Sequence, residues 1–231
     1  MPARPDRSTP RSAPRQVRPV EACPFDAPDE RSSLDLQKHR SLHPDGLRLM
    51  TTCFGRAWRA RDDREAAFES FVFAWIAVNA WAACVTGEDA DREYMRRLSR
   101  DVGLRAAFDE LLREDQEFRR EVESFFTLLP IFKAQRLRRA GVRVDESASR
   151  RETVHRYFAA GITEFEPECA KYHLDRGEAI PCDWPHFINA VYRVRCNLFH
   201  GEKAAHSEMD QKIVRSALMS LTGFFRGAHI L

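Results

Sequence analysis

Between residues 64 and 86, Phe68, Phe71, Val72, Trp75, Ile76, Asn79 and Ala82 recur at i, i+3, i+4, i+7, i+8, i+11 and i+14. That is the period of an α-helix, and a stripe this rich in large side chains has to be packed on most sides. The rest of the chain is therefore constrained to wrap around one deeply buried helix. Gly87 is its expected stop, because glycine enters the left-handed conformation that closes a helix without steric cost.

The segments that follow repeat the helical period in shorter form. Tyr94, Met95 and Leu98, then Leu104, Phe108 and Leu111, then Phe118, Val122, Phe125 and Leu129 each mark one apolar face ahead of Pro130. Residues 140–150 are polar and read as a loop. Residues 151–165 read as a helix around Val154, Tyr157, Phe158 and Ile162. From 166 to 185 three prolines and Gly177 break the pattern, which predicts a connecting loop. Asp183 then serves as an N-cap, with Pro185 in the first turn of a helix whose buried face carries Phe187, Ala190, Val191, Val194 and Leu198. Gly201 is its expected stop, and Ser207 with Asp210 has the form of a capping box opening a last helix through Ile213, Val214, Ala217, Leu221, Phe224 and Phe225. No run alternates with a period of two. The expected fold is all-α, packed as an antiparallel bundle.

Eight of the twelve prolines precede residue 45, and residues 1–20 hold five arginines against one acid, so the N-terminus reads as a disordered, Pro/Arg-rich tail. The expected division is a leader and linker over residues 1–60 and a helical domain over 61–231. Those first twenty residues contain no leucine, isoleucine or phenylalanine, which leaves no apolar core for a secretory signal. The densest apolar stretch, 68–85, is interrupted by Glu69, Ser70 and Asn79, so no membrane span is expected and the cytoplasm is the expected compartment. A formal charge of +2, from 37 basic and 35 acidic residues, means that affinity for nucleic acid would have to be local. The six cysteines form no CxxC pair and read as thiols.

No phosphate-binding loop, dinucleotide fingerprint, nucleophile elbow or HExxH is present. The three C-x3-H pairs, Cys169 and His173, Cys182 and His186, Cys196 and His200, raise a zinc reading. Structural zinc sites favour C-x2-C or C-x4-C clips, so no metal and no cofactor are expected. Arg195 and His200 form an R-x4-H pair at the end of a buried helix. The pair is unspecific by itself: 37 basic residues, five of them lysine, and eight histidines give about one such match by chance. Arg150 and His155 are a second match, in a polar stretch, and read as the coincidental one. Arg195 lies at the margin of the apolar stripe, where a guanidinium needs an acidic partner or a polar cleft. Five residues along a regular helix place His200 about 140° around from Arg195, so a converging site requires unwinding at Gly201 or a second copy of the helix across a twofold axis.

Residues 191–201, VYRVRCNLFHG, resemble the signature helix of the HEPN superfamily, most closely its Apea-like branch, whose motif is R-x(4 to 6)-H. Residues 73–80, FAWIAVNA, resemble the apolar first helix of the same branch. The resemblance spans roughly residues 65–228 and implies a helical bundle that dimerises through the motif helices. In function it implies a metal-independent endoribonuclease of toxin or phage-defence type, with RNA as substrate and a neutralising antitoxin such as a minimal nucleotidyltransferase as a possible partner. It assigns Arg195 and His200 to catalysis. Many relatives carry a polar residue, often asparagine, directly after the arginine. Here Cys196 stands there and the asparagine is Asn197, expected to position the substrate or His200. The alternative is a catalytically silent dimerisation or RNA-binding module of a larger complex.

Overall fold

The computed structural model describes residues 33–142, 148–199 and 208–231. They are mostly helical: α1 (Pro44–Ala60), α2 (Ala67–Thr86), α3 (Asp91–Arg100), α4 (Val102–Glu114), α5 (Gln116–Phe126), α6 (Ala134–Ala140), α7 (Arg150–Ala159), α8 (Ala170–Asp175), α9 (Trp184–Phe199) and α10 (Glu208–Gly227). The all-α class holds, with one small addition. Two short strands, β1 (Ile131–Phe132) and β2 (Phe165–Glu166), pair antiparallel, with Ile131 opposite Glu166 and Phe132 opposite Phe165.

α2 is the centre. Its alanines at 74, 77 and 82 are fully buried alongside Phe71, Val78 and Trp81, and these small side chains let α1, α10 and α3 pack closely around it. By length and composition α2 could cross a membrane, contrary to the expectation from its interrupting polar residues. Its buried residues instead face protein, as those of a core helix do. Gly87 closes it in the left-handed region at φ 69°. Trp81 meets Phe225 of α10 edge-on, with ring centroids 5.0 Å apart, a favoured quadrupolar geometry.

The leader expected over residues 1–60 is too long. α1 lies within it and packs along α2 through Met50, Cys53, Phe54 and Ala57, all buried. Pro44 occupies the first turn and His43 caps it, accepting from the Asp45 amide, so a proline read as a mark of disorder starts a helix. Upstream still, the Leu34 amide donates to Asp101 at 2.8 Å, and the Trp81 indole donates to the Leu36 carbonyl at 3.1 Å. The domain thus includes residues from 34 onward.

Other boundaries shift for local reasons. The helix expected over 151–165 is α7, opened by a reciprocal capping box of Ser149 and Glu152 and ending at Ala159, before Gly161 with φ 75°. The loop expected over 166–185 contains α8. Asp183 caps α9 as expected, accepting the His186 amide at 3.1 Å. Gly201 and Ser207 lie outside the described residues. Phe108, Phe118, Trp184, Phe187 and Phe224 join α4, α5, α9 and α10, and the Trp184 indole donates to the Leu98 carbonyl at 2.7 Å. A smaller cluster of Phe132, Val154, Ile162, Phe165 and Ala170 sits under the two strands.

Candidate functional site

α9 carries the site residues because its period separates three faces. Trp184, Phe187, Ile188, Val191 and Val194 fill the core, and Arg195 emerges at the edge of that stripe with its side chain one-fifth exposed. The acidic partner that burial demands is Asp91, the first residue of α3, whose Oδ2 lies 2.5 Å from Arg195 Nη2. Aromatic rings surround the guanidinium, with centroids at 4.9 Å for Phe199, 5.7 Å for Trp75 and 5.9 Å for Tyr192. Ring faces carry partial negative charge and attract a cation at these distances. Arg195 Nε is buried and has no acceptor among the described residues.

Behind the ion pair lies a hydroxyl and an amide. Tyr94, one turn along α3 from Asp91, donates its hydroxyl to Asn79 Oδ1 on α2. Burial, reinforced by the Asp91 carboxylate, pushes the Tyr94 hydroxyl far above the ordinary phenol range, so it stays protonated. Asn79 therefore bonds to Tyr94, which lies beside Asp91. Burial and the neighbouring Cys196 likewise push Tyr192 up to about 12. The result is a fixed cation in a ring of neutral aromatics. Phe199 is 45% exposed, which leaves one wall of that ring open to solvent.

The three expected site residues part company. His200 lies outside the described residues. Asn197 is only 1% exposed, on a different face of α9, because two residues along a helix turn the side chain by about 200°. Its Nδ2 donates to the Phe132 carbonyl at 2.8 Å and its Oδ1 accepts the Ala134 amide at 3.1 Å. Both ends of the amide are thus committed to the segment joining β1 to α6, and the expected role of positioning substrate or His200 is replaced by a structural one. Asp91, Tyr94 and Tyr192 are the neighbours that sequence reasoning did not find. Arg195's place on the apolar margin implied an acid, but nothing in a linear reading points to residue 91.

The other motif candidates resolve as follows. Arg150 donates Nε and Nη2 to the Leu128 carbonyl at 3.0 and 2.7 Å, and Nη2 to the Pro130 carbonyl at 2.5 Å. Its burial lowers its pKa to about 10, and its bonds make it a brace for the turn after α5. Of the three C-x3-H pairs, the one that ends at His200 lies outside the described residues. His173 faces Glu178 at 3.3 Å, and Cys169 instead meets His186, 17 residues away. Among the described residues no group of three ligating side chains converges, and no disulfide forms.

No family model, curated protein or solved structure matches this chain.

Proposed function

We propose that the chain is a HEPN-type, metal-independent endoribonuclease that works in the cytoplasm as a homodimer of antiparallel bundles joined through α9 and the segment after it. The observation that carries this reading is Arg195: a guanidinium fixed by Asp91, walled by Tyr192 and Phe199, at the end of a buried helix that runs directly into His200. Aromatic faces beside an arginine suit unstacked bases and a phosphate together, which favours single-stranded or looped RNA. Exposed Phe199 and Met209 flank the segment 200–207 on either side, an apolar pair suited to a second copy.

RNA brings its own nucleophile. Cleavage needs a base for the 2′-OH proton, a cation for the phosphorane oxygens and an acid for the departing 5′-oxygen. His200 supplies the base or the acid, its partner in the dimer the other, and Arg195 binds the phosphate oxygens. Asp91 holds the guanidinium in place. A neutralising antitoxin would act by covering this face.

A second reading has its own observation. The Asp91 carboxylate already neutralises Arg195, as it would in a catalytically silent dimerisation or RNA-binding module. The discriminating experiment is incubation of wild type, His200→Ala and Arg195→Ala with end-labelled RNA in EDTA, beside a 2′-deoxy substrate of the same sequence. Cleavage by wild type alone, leaving 2′,3′-cyclic phosphates and sparing the deoxy strand, supports the ribonuclease. Intact RNA in every lane, or equal cutting of the deoxy strand, overturns it.

A further inference from the structure

The opposite end of α9 carries a second constellation. Asp183, the residue before the helix, accepts from His186 twice through Oδ1: from the backbone amide at 3.1 Å and from ring Nδ1 at 2.5 Å. With Nδ1 donating, the Nε2 lone pair points away from the carboxylate, and Cys169 Sγ lies 3.0 Å from it. Cys169 and His186 are 5% and 2% exposed. Both line a cavity of about 130 Å³ together with Glu166, Glu168 and Asn189. Thiol, base and orienting carboxylate in this order are the arrangement that activates a sulfur nucleophile.

We propose that Cys169, His186 and Asp183 form a nucleophilic-thiol centre that reacts with small, uncharged peroxides. The cavity selects the substrate class. Its volume of about 130 Å³ holds hydrogen peroxide and solvent beside the buried thiol. The carboxyl of Glu168 at its wall disfavours anions. Burial pushes Glu166 up to about 7 despite its contact with Arg193 at 3.3 Å, so the wall is partly neutral at physiological pH and admits uncharged ligands. In the reaction the sulfur lone pair attacks one peroxide oxygen, forming S–O as O–O breaks. The thiol proton passes to His186 Nε2 and on to the departing hydroxide, which leaves as water. Sulfur is oxidised by two electrons to a sulfenic acid and the peroxide is reduced.

The test is a time course of full-length reduced protein with hydrogen peroxide, quenched into denaturant containing dimedone and read by peptide mass spectrometry. General-base assistance sets the expected size: Cys169 is labelled at least about tenfold faster than solvent-exposed Cys182. Asp183→Asn retains a capping oxygen for α9 but removes the charge behind His186, and slows labelling of Cys169 by about tenfold while the helical circular dichroism is unchanged. Labelling of Cys182 ahead of Cys169 in wild type overturns the proposal, as does an Asp183→Asn rate equal to wild type. Acetylation of Cys169 by p-nitrophenyl acetate with no sulfenic acid formed also overturns it, in favour of acyl chemistry. None of these outcomes depends on RNA cleavage.

Discussion

Replacing Asn197 by alanine separates a structural amide from a catalytic one. The truncation leaves the Phe132 carbonyl and the Ala134 amide, both in residues under 10% exposed, without their partner. An orphaned buried polar group costs about 1–3 kcal/mol, so the pair is expected to cost about 2–6 kcal/mol. For a domain of this size each kcal/mol moves Tm by about 2–4 °C, which places the variant about 4–24 °C below wild type by calorimetry. The loss is local in origin, because these bonds join α9 to the strand that covers the smaller cluster of Phe132, Val154, Ile162, Phe165 and Ala170. Hydrogen exchange is therefore expected to quicken first at Ala134 and around β1 and β2, ahead of α2. Asn197→Asp is expected to be worse, since it retains the acceptor for Ala134 but sets a carboxylate oxygen against the Phe132 carbonyl. RNA cleavage, assayed well below the lowered Tm, should be within a factor of a few of wild type. A Tm within about a degree of wild type, combined with abolished cleavage, would refute the assignment and return Asn197 to the active site.

Asp91→Ala leaves the mostly buried Arg195 guanidinium without its acid and should cost about 1–3 kcal/mol of stability; cleavage, assayed well below the lowered Tm, should fall by about 10- to 100-fold from misplacement of the cation, read from initial rates. Arg150→Met removes the brace on the Leu128 and Pro130 carbonyls and should lower the urea midpoint with cleavage kinetics unchanged, which would confirm that the second R-x4-H match is structural. Glu121 and Glu166 are both pushed up to about 7, by burial first, so the folded chain holds their protons more tightly than the unfolded one. The associated stability is present below about pH 4.5 and is lost as pH rises through 7, on the order of 1–3 kcal/mol for each group. Urea denaturation of Glu121→Gln should lose its share of that dependence, and a pH dependence equal to wild type would contradict the assignment.

What the sequence displayed and what it hid divide along sequence separation. α2 was legible as a helix because its apolar residues are periodic, although its buried face runs through Phe71, Ala74, Val78, Trp81 and Val85 while Phe68, Val72, Ile76 and Asn79 are half-buried. The Gly87 and Asp183 boundaries were legible because a left-handed stop and a capping carboxylate act within a few residues. α1 also carried a signal in Leu47, Met50, Phe54 and Ala57, but eight prolines before residue 45 obscured it, and Pro44 proved to be a helix starter. The partners of the site residues act at long range: Asp91 meets Arg195 across 104 positions and Asn197 meets Ala134 across 63. No local rule encodes such pairs. The contact between Cys169 and His186 was hidden for the same reason, since these residues come from two different C-x3-H pairs.

The two ends of α9 give this helix a chemical polarity. Its N-terminal turn fixes an imidazole between a carboxylate and a thiol beside a small cavity, while its C-terminal turn fixes a guanidinium between a carboxylate and the exposed ring of Phe199. Both devices use one acid just outside the helix core to hold one cationic or proton-accepting side chain, and both depend on the buried stripe from Trp184 to Val194 to keep α9 rigid between them. Damage to that stripe should therefore impair both ends together, whereas Asp183→Asn and Asp91→Ala should each impair only their own. A variant that uncouples sulfenic acid formation from RNA cleavage would show two independent sites on one scaffold. Loss of cleavage on oxidation of Cys169, absent from Cys169→Ser, would instead show that the thiol end regulates the arginine end.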